Sequence, residues 1–299
     1  MGRLTAIVLG AAAGGGFPQW NCNCAVCRLA WAGDPRVRAR SQASLAVRID
    51  GEEWLILNAS PDLRTQILAN PALHPRTDLR ASPIKAVLLT GAEIDQTAGL
   101  LTLRERQPFT LNATAATFAA LAENPMFGVL DPRVVKRRAV TPGETLVFGD
   151  VGAEIFTVPG KVPLFLERGE PQIEETSVNI GVELTSDGKR MIFMPGAAAI
   201  TPAIRRRLER ADVILFDGTL FTDDEMIASG TGSKTGRRMG HMPIDREGGS
   251  LEALAGLSAR RIYIHINNTN PILIDGSPER RRVEEAGFEI AEDGMEIVL

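Results

Sequence analysis

The densest chemistry in this chain is three cysteines within six residues, Cys22-Asn23-Cys24-Ala25-Val26-Cys27. Thiolates on so short a loop can converge on one ion, and Zn²⁺ favours sulfur in a four-coordinate tetrahedral shell. The plain alternative is three buried or loosely reactive thiols. The motif brings three ligands, so a fourth must come from elsewhere; His265, Asn268 and water all qualify. A closed, thiolate-rich site is ordinarily structural. These cysteines are therefore expected to hold a loop and not to carry a reaction.

The chain has only three histidines, so each can be weighed singly. His74, in Leu73-His74-Pro75, reads as a surface residue of a proline-bounded loop. His241 follows the glycine-rich basic segment Gly232-Ser233-Lys234-Thr235-Gly236-Arg237-Arg238. His265 ends the apolar run Ile262-Tyr263-Ile264 and precedes the amide-rich Asn267-Asn268-Thr269-Asn270-Pro271. A lone histidine in a strand is more often a satisfied core residue, but the end of a strand is where α/β proteins collect functional groups. Asp217 is placed in the same way after Val213-Ile214-Leu215-Phe216, and Glu93-Ile94-Asp95-Gln96 follows Ala86–Thr90. Imidazoles, carboxylates and amides at several strand ends suggest a metal or polar-substrate pocket. Lys234, Arg237 and Arg238 form either a solvated basic loop or a clamp for an anionic substrate, because guanidinium groups grip carboxylates in pairs.

The elements that must position these groups are short. Strand-like runs rich in Val, Ile and Leu recur at 4–9, 44–49, 53–57, 84–89, 134–140, 145–148, 153–158, 178–184, 190–194, 213–216, 261–266 and 296–299. Ser60-Pro61, Thr201-Pro202 and Ser277-Pro278 each read as an N-cap followed by proline at the first helical position. They open helices over 63–69, 203–210 and a third that stops at Gly287. Further helices are expected over 113–122, 223–228 and 250–257. The glycines at 10 and 14–16 lack the G-x-G-x-x-G spacing of a dinucleotide site, which favours a loop in close backbone contact. Hairpin-like strand pairs crowd the first half, where a doubly wound parallel sheet would alternate with helices. The expected fold is α/β: two mixed sheets packed face to face with helices outside, in one domain spanning residues 1–299.

Composition narrows the class. The chain has 299 residues, 44% of them hydrophobic, with 33 basic against 37 acidic side chains. That is ordinary globular composition, and it carries no basic excess to neutralise the phosphates of a nucleic acid. No stretch approaches the roughly 20 apolar residues of a membrane helix, so no membrane insertion is expected. The opening residues loosely mimic a signal peptide, but a first strand ending in a glycine turn accounts for them better. Three clustered cysteines make a poor disulfide framework, and a cytoplasmic location is expected.

Four segments together resemble the PqqB family of pyrroloquinoline quinone (PQQ) biosynthesis: Phe17-Pro18-Gln19-Trp20-Asn21-Cys22-Asn23-Cys24, Leu57-Asn58-Ala59-Ser60-Pro61-Asp62, Leu215-Phe216-Asp217-Gly218-Thr219 and His265-Ile266-Asn267-Asn268-Thr269-Asn270-Pro271. The resemblance implies a metallo-β-lactamase-type αββα sandwich and a place in making the quinone from a peptide containing Glu and Tyr. It also exposes departures from the superfamily pattern. The T-H-x-H-x-D-H metal motif is Thr90-Gly91-Ala92-Glu93-Ile94-Asp95-Gln96 here, with only the aspartate kept. Lys161 replaces the histidine of P-G-H-T-P, and Gly196 stands where a bridging aspartate is expected. Two-metal hydrolysis, which needs two ions about 4 Å apart, is therefore not expected. His241 and His265 match superfamily histidine positions. With Asp95, Asp217 or Glu93 they would make a two-His, one-carboxylate site of the non-haem Fe(II) type. The resemblance implies an iron-dependent hydroxylase of the tyrosine ring. The alternative is a non-catalytic carrier of PQQ or its precursor, with a part in transport towards the periplasm. A scaffold among other PQQ-biosynthesis proteins has no sequence feature in its favour. Glutamine is a poor metal ligand, so Gln96 is assigned to the substrate side with Lys234, Arg237 and Arg238.

Overall fold

The structure, a computed structural model, describes residues 3–76, 78–169, 172–245 and 247–299. In chain order the strands are β1 (Thr5–Gly10), β2 (Ser44–Asp50), β3 (Glu53–Leu57), β4 (Ile84–Leu88), β5 (Phe109–Thr114), β6 (Val135–Val140), β7 (Thr145–Phe148), β8 (Val151–Gly160), β9 (Glu174–Ser186), β10 (Lys189–Met194), β11 (Val213–Asp217), β12 (Arg260–Ile264), β13 (Phe288–Ile290) and β14 (Glu296–Val298). They build two seven-stranded sheets, ordered β14-β1-β2-β3-β4-β5-β6 and β13-β12-β11-β10-β9-β8-β7. The first is antiparallel from β14 to β3 and parallel from β3 to β6. The second is parallel from β13 to β10 and antiparallel from there to β7. Two mixed sheets, as the strand spacing predicts, are what form.

Side-chain alternation assigns the faces. Val213 and Leu215 of β11, with Ile262 and Ile264 of β12, meet Leu45, Val47, Leu55 and Leu57 in the core between the sheets. The intervening Ile214, Phe216 and Tyr263 turn outward under the helical layer with Leu208, Leu254 and Val283. Leu63, Leu100 and Leu121 cover the outer face of the other sheet. Among the described residues no helix is long and apolar enough to cross a membrane.

Most expected elements form, with several boundaries moved: the helix expected over 250–257 covers only Ser250–Ala253, the strand expected over 178–184 runs Glu174–Ser186, and that expected over 261–266 ends at Ile264. Thr201 and Ser277 cap their helices, accepting from the backbone N–H of Ile204 and Arg280. Ser60 does not: the 63–69 helix has Asp62 at its N-cap, and the Ser60 hydroxyl donates instead to Gln66 Oε1. The 113–122 helix begins only at Ala115, because Thr114 is its cap and Ala113 still belongs to β5. Strands β5 and β13 and the helices Ala25–Trp31, Ile94–Thr97 and Gly236–Met239 are absent from the sequence expectation. In β5 the polar Thr110 and Asn112 interrupt the apolar run, though Asn112 is buried and bonds the carbonyls of Val87 and Thr110. The glycine turn after β1 does make close contact, since a Cβ on Gly10 would lie 2.2 Å from the Gln42 carbonyl oxygen.

Candidate functional site

Parallel strands that end at one edge deliver their next residues to the same crevice. Asp217, the last residue of β11, pairs with Ile264 of β12, so His265 emerges one residue beyond it. Asp217 shares the parity of Val213 and Leu215 and is fully buried. His265 turns out of the strand with φ +59°, a left-handed conformation uncommon for a residue with a Cβ. Its chain neighbours are held on both sides: the Ile264 carbonyl accepts from the Gly218 N–H, and the Ile266 N–H donates to the Ala11 carbonyl.

The two imidazoles stack, with centroids 5.2 Å apart and planes inclined by 22°. His241 Nδ1 lies 2.7 Å from Asp217 Oδ2. His265 Nε2 lies 2.9 Å from Asp95 Oδ2, which comes from the Ile94–Thr97 helix that follows β4 of the other sheet. Between the rings sits a group that sequence reasoning missed, Thr219. Its Oγ1 is 2.6 Å from Asp217 Oδ1, 2.8 Å from His265 Nδ1 and 3.1 Å from His241 Nδ1. Its position two residues after Asp217, in a turn that returns to the strand edge, is the signal that could have found it. Asp217 also accepts from the backbone N–H groups of Ala197 and Thr219.

Burial alone would raise the pKa of both aspartates, but the facing imidazoles overcome it and hold both carboxyls below the ordinary range. Burial likewise pushes His265 towards neutrality, and its bond to Asp95 reverses the sign, leaving the imidazole above its ordinary value. Asp217, His241 and His265 each offer one donor atom, all within 4.8 Å of one another, and so fit a single cation. The Asp95–His265 bond is then the carboxylate partner that fixes the tautomer and aim of a ligating imidazole. A Cβ at Gly196 would lie 3.6 Å from His241 Cε1, so the position expected for a bridging aspartate faces the cluster and carries no side chain.

The cluster forms one wall of a cavity of about 240 Å³, which Asp95, Gln96, Lys161, Lys234 and Asn267 also line. Gln96 is turned to its own helix: its Oε1 accepts from the Glu93 N–H and its Nε2 reaches Thr90 Oγ1 at 3.4 Å. Glu93 points to the cavity mouth, accepting from Lys161 Nζ at 2.8 Å and from the Leu164 N–H. It is not grouped with the imidazoles. The basic segment is ordered as a helical turn capped by Thr235. Lys234 lines the cavity, Arg238 approaches Glu167 at its edge, and Arg237 is exposed. His74 lies elsewhere, with Nε2 at 3.1 Å from the Ile67 carbonyl.

The three sulfurs form a second cluster, again with donor atoms within 4.8 Å. Cys24 caps the helix it precedes, its sulfur accepting from the Cys27 N–H. Asn268 covers the group, with Nδ2 3.1 Å from Cys22 Sγ and 3.3 Å from Cys27 Sγ. Among the expected fourth partners, Asn268 is therefore the one beside the thiols, whereas the His265 ring points into the cavity. Burial pushes the Cys27 thiol up to about 12, while bonds from Cys24, Cys27 and Asn268 outweigh burial at Cys22 and lower it.

Comparison with known proteins agrees with this fold. Residues 53–266 match the family description "Beta-lactamase superfamily domain". The chain is 52% identical over 299 residues to Coenzyme PQQ synthesis protein B of Methylobacterium sp. (strain 4-46), covering 99% of this chain and 100% of that one. It is 55% identical to the protein of the same name from Rhizobium meliloti (strain 1021), covering 99% and 98%. Among solved structures it resembles Zn(2+)-bound PqqB from Methylobacterium extorquens, with a TM-score of 0.97 and 51% identity, covering 99% of this chain and 100% of that one. A diphosphatase of the PhnP family, 20% identical with a TM-score of 0.70 over 100% of this chain and 98% of that one, shares the fold. Matched at 52–55% identity over nearly the whole of both chains, this metallo-β-lactamase sandwich belongs to the coenzyme PQQ synthesis protein B family.

Proposed function

We propose that the chain acts in PQQ biosynthesis by hydroxylating the tyrosine ring of a Glu-Tyr-derived precursor, with one Fe(II) ion held by His241, His265 and Asp217. The observation that carries this reading is the convergence of those three donor atoms on the wall of a cavity large enough for an aromatic ring. Bound iron would supply O₂ activation, since a two-His, one-carboxylate set leaves open positions. Each hydroxylation converts a ring C–H to C–OH with one oxygen atom of O₂; the other atom leaves as water with two electrons and two protons from an external reductant. The chain's own residues bind and orient. Asp95 fixes the His265 ring, and Lys161 and Lys234 offer positive charge to the precursor's carboxylates.

The three thiols, with Asn268 beside them, are assigned a structural Zn²⁺ ion, in keeping with the zinc-bound relative. The test is metal analysis of protein purified anaerobically. His265→Ala should lose iron and ring hydroxylation while keeping zinc, and Cys24→Ser should lose zinc. Zinc alone, removed by Cys24→Ser and untouched by His265→Ala, would rule out the hydroxylase reading.

One observation favours the carrier alternative. Thr219 already satisfies Asp217 and both imidazoles by hydrogen bonds, so the cluster is internally paired without an ion. A carrier would bind PQQ equally well before and after removal of iron and would turn over no precursor.

A further inference from the structure

Beyond β8 the chain crosses the cavity mouth as a short strap whose 3-10 turn, Leu164–Leu166, leads into Glu167. The Glu167 side chain is only 9% exposed although the strap lies at the surface. Its carboxylate joins cations from two separate walls. Oε1 is 2.9 Å from Lys161 Nζ, while Oε2 is 3.6 Å from Arg238 Nη1 and 3.8 Å from Lys234 Nζ. Lys161, Lys234 and Leu164 line the cavity; Glu167 spans the gap between the two lysines. The strap's apolar residues face outward, with Leu164 55% and Phe165 42% exposed. The ion-paired Glu167 carboxylate therefore holds this segment down together with the Leu164 N–H bond to Glu93 and the buried Pro163.

We propose that Lys161, Lys234 and Arg238 form a subsite for a carboxylate of the ligand, and that Glu167 occupies this subsite as an internal competitor until a polycarboxylate displaces it and frees the strap. This inference rests on the reading of the cavity as a site for PQQ-related carboxylates. Burial favours the neutral acid at Glu167, yet Lys161, Lys234 and Arg238 outweigh it and lower its pKa, so the competitor is an anion at neutral pH. Competition has a defined thermodynamic signature. Apparent affinity is reduced by the fraction of protein whose site is competent, and a change that empties the site removes that reduction. Glu167→Gln keeps the size of the side chain and deletes its charge, and it takes away a carboxylate that faces all three cations. A merely structural Glu167 predicts the opposite, since breaking a partly buried ion pair loosens the wall that a ligand needs.

The test measures binding by calorimetry of two probes, 1,3,5-benzenetricarboxylate and PQQ, to the full chain and to Glu167→Gln. The expected result is a gain of about tenfold in affinity for benzenetricarboxylate in the variant, lost again in Glu167→Gln combined with Lys234→Met. Unchanged or weaker benzenetricarboxylate binding overturns the gate. The PQQ arm separates the two readings: tighter benzenetricarboxylate binding with no PQQ binding keeps the gate and sinks the PQQ assignment, whereas equal PQQ and benzenetricarboxylate binding in both proteins does the reverse. Amide hydrogen exchange on the unaltered chain is independent of whether the variant folds. Benzenetricarboxylate at saturation should increase exchange at Leu166 and Glu167, whose N–H groups donate to Pro163 and Leu164; protection there would overturn the proposal.

Discussion

At the scale of single residues, Thr219 knits the site together. A hydroxyl within 3.1 Å of a carboxylate and two imidazoles cannot be replaced by a methyl group of the same shape without leaving a buried acceptor short of a partner. Thr219→Val should lower stability by about 1–3 kcal/mol, measured by denaturant unfolding, and should broaden the His241 and His265 ring resonances. Glu225 gives a second prediction. Burial raises its pKa to about 7, against 4.5 for a free glutamate, despite bonds from Thr269 and the Phe221 N–H. An acid whose pKa is raised by folding adds stability below pH 4.5, and that contribution is lost as pH rises through 7. The loss is about 3 kcal/mol. Glu225→Gln, which cannot ionise, should flatten this part of the stability profile between pH 5 and 8; an unchanged slope would reject the assignment.

The individual site residues were legible in the sequence to the extent that their chemistry is rare. Three histidines and one cysteine cluster leave few candidates, and strand ends point them to one edge. The capping role of Gln96 was not legible: besides lining the cavity, it closes the first turn of the 94–97 helix with its amide. The same holds for Arg238 and Glu167, which lie far apart in sequence and meet only because the strap folds back over the helical turn at 236–239.

Elements whose ends carry local signals are the ones that sequence places well. Thr201 and Ser277, each before a proline, cap their helices as expected. Ser60 carries the same dipeptide, but its hydroxyl is drawn to Gln66, buried beneath the glycine turn that follows β1. A tertiary contact therefore moves the N-cap from Ser60 to Asp62, while the helix spans 63–69 as expected. Ser277 does double duty, accepting from Arg280 and donating to the Pro271 carbonyl, which ties the last helix to the loop that carries Asn268 and Asn270. Ser277→Ala should lower thermal stability by about 1 kcal/mol. Strand β5 escaped notice because a central parallel strand can hide polar residues in ladder positions that only its neighbours satisfy.

For the whole molecule, the two-sheet architecture follows from strand density and from alternation in β11 and β12, whereas strand order depends on pairings between residues as distant in sequence as Thr5 and Val298 and has no local signature. Leu215, at the centre of the inter-sheet core, should cost about 2–5 kcal/mol when cut to alanine, with one cooperative unfolding transition by both circular dichroism and fluorescence.

The Asp95–His265 bond joins groups 170 positions apart, one from the helix that follows β4 of the first sheet and one just past β12 of the second. It stands where the edges of the two layers diverge, so any guest gripped there acts as a rivet through both plates. Its binding energy is added to the cohesion of the sandwich. Heat resistance should therefore climb with guest concentration, as a melting temperature followed against added ligand would show.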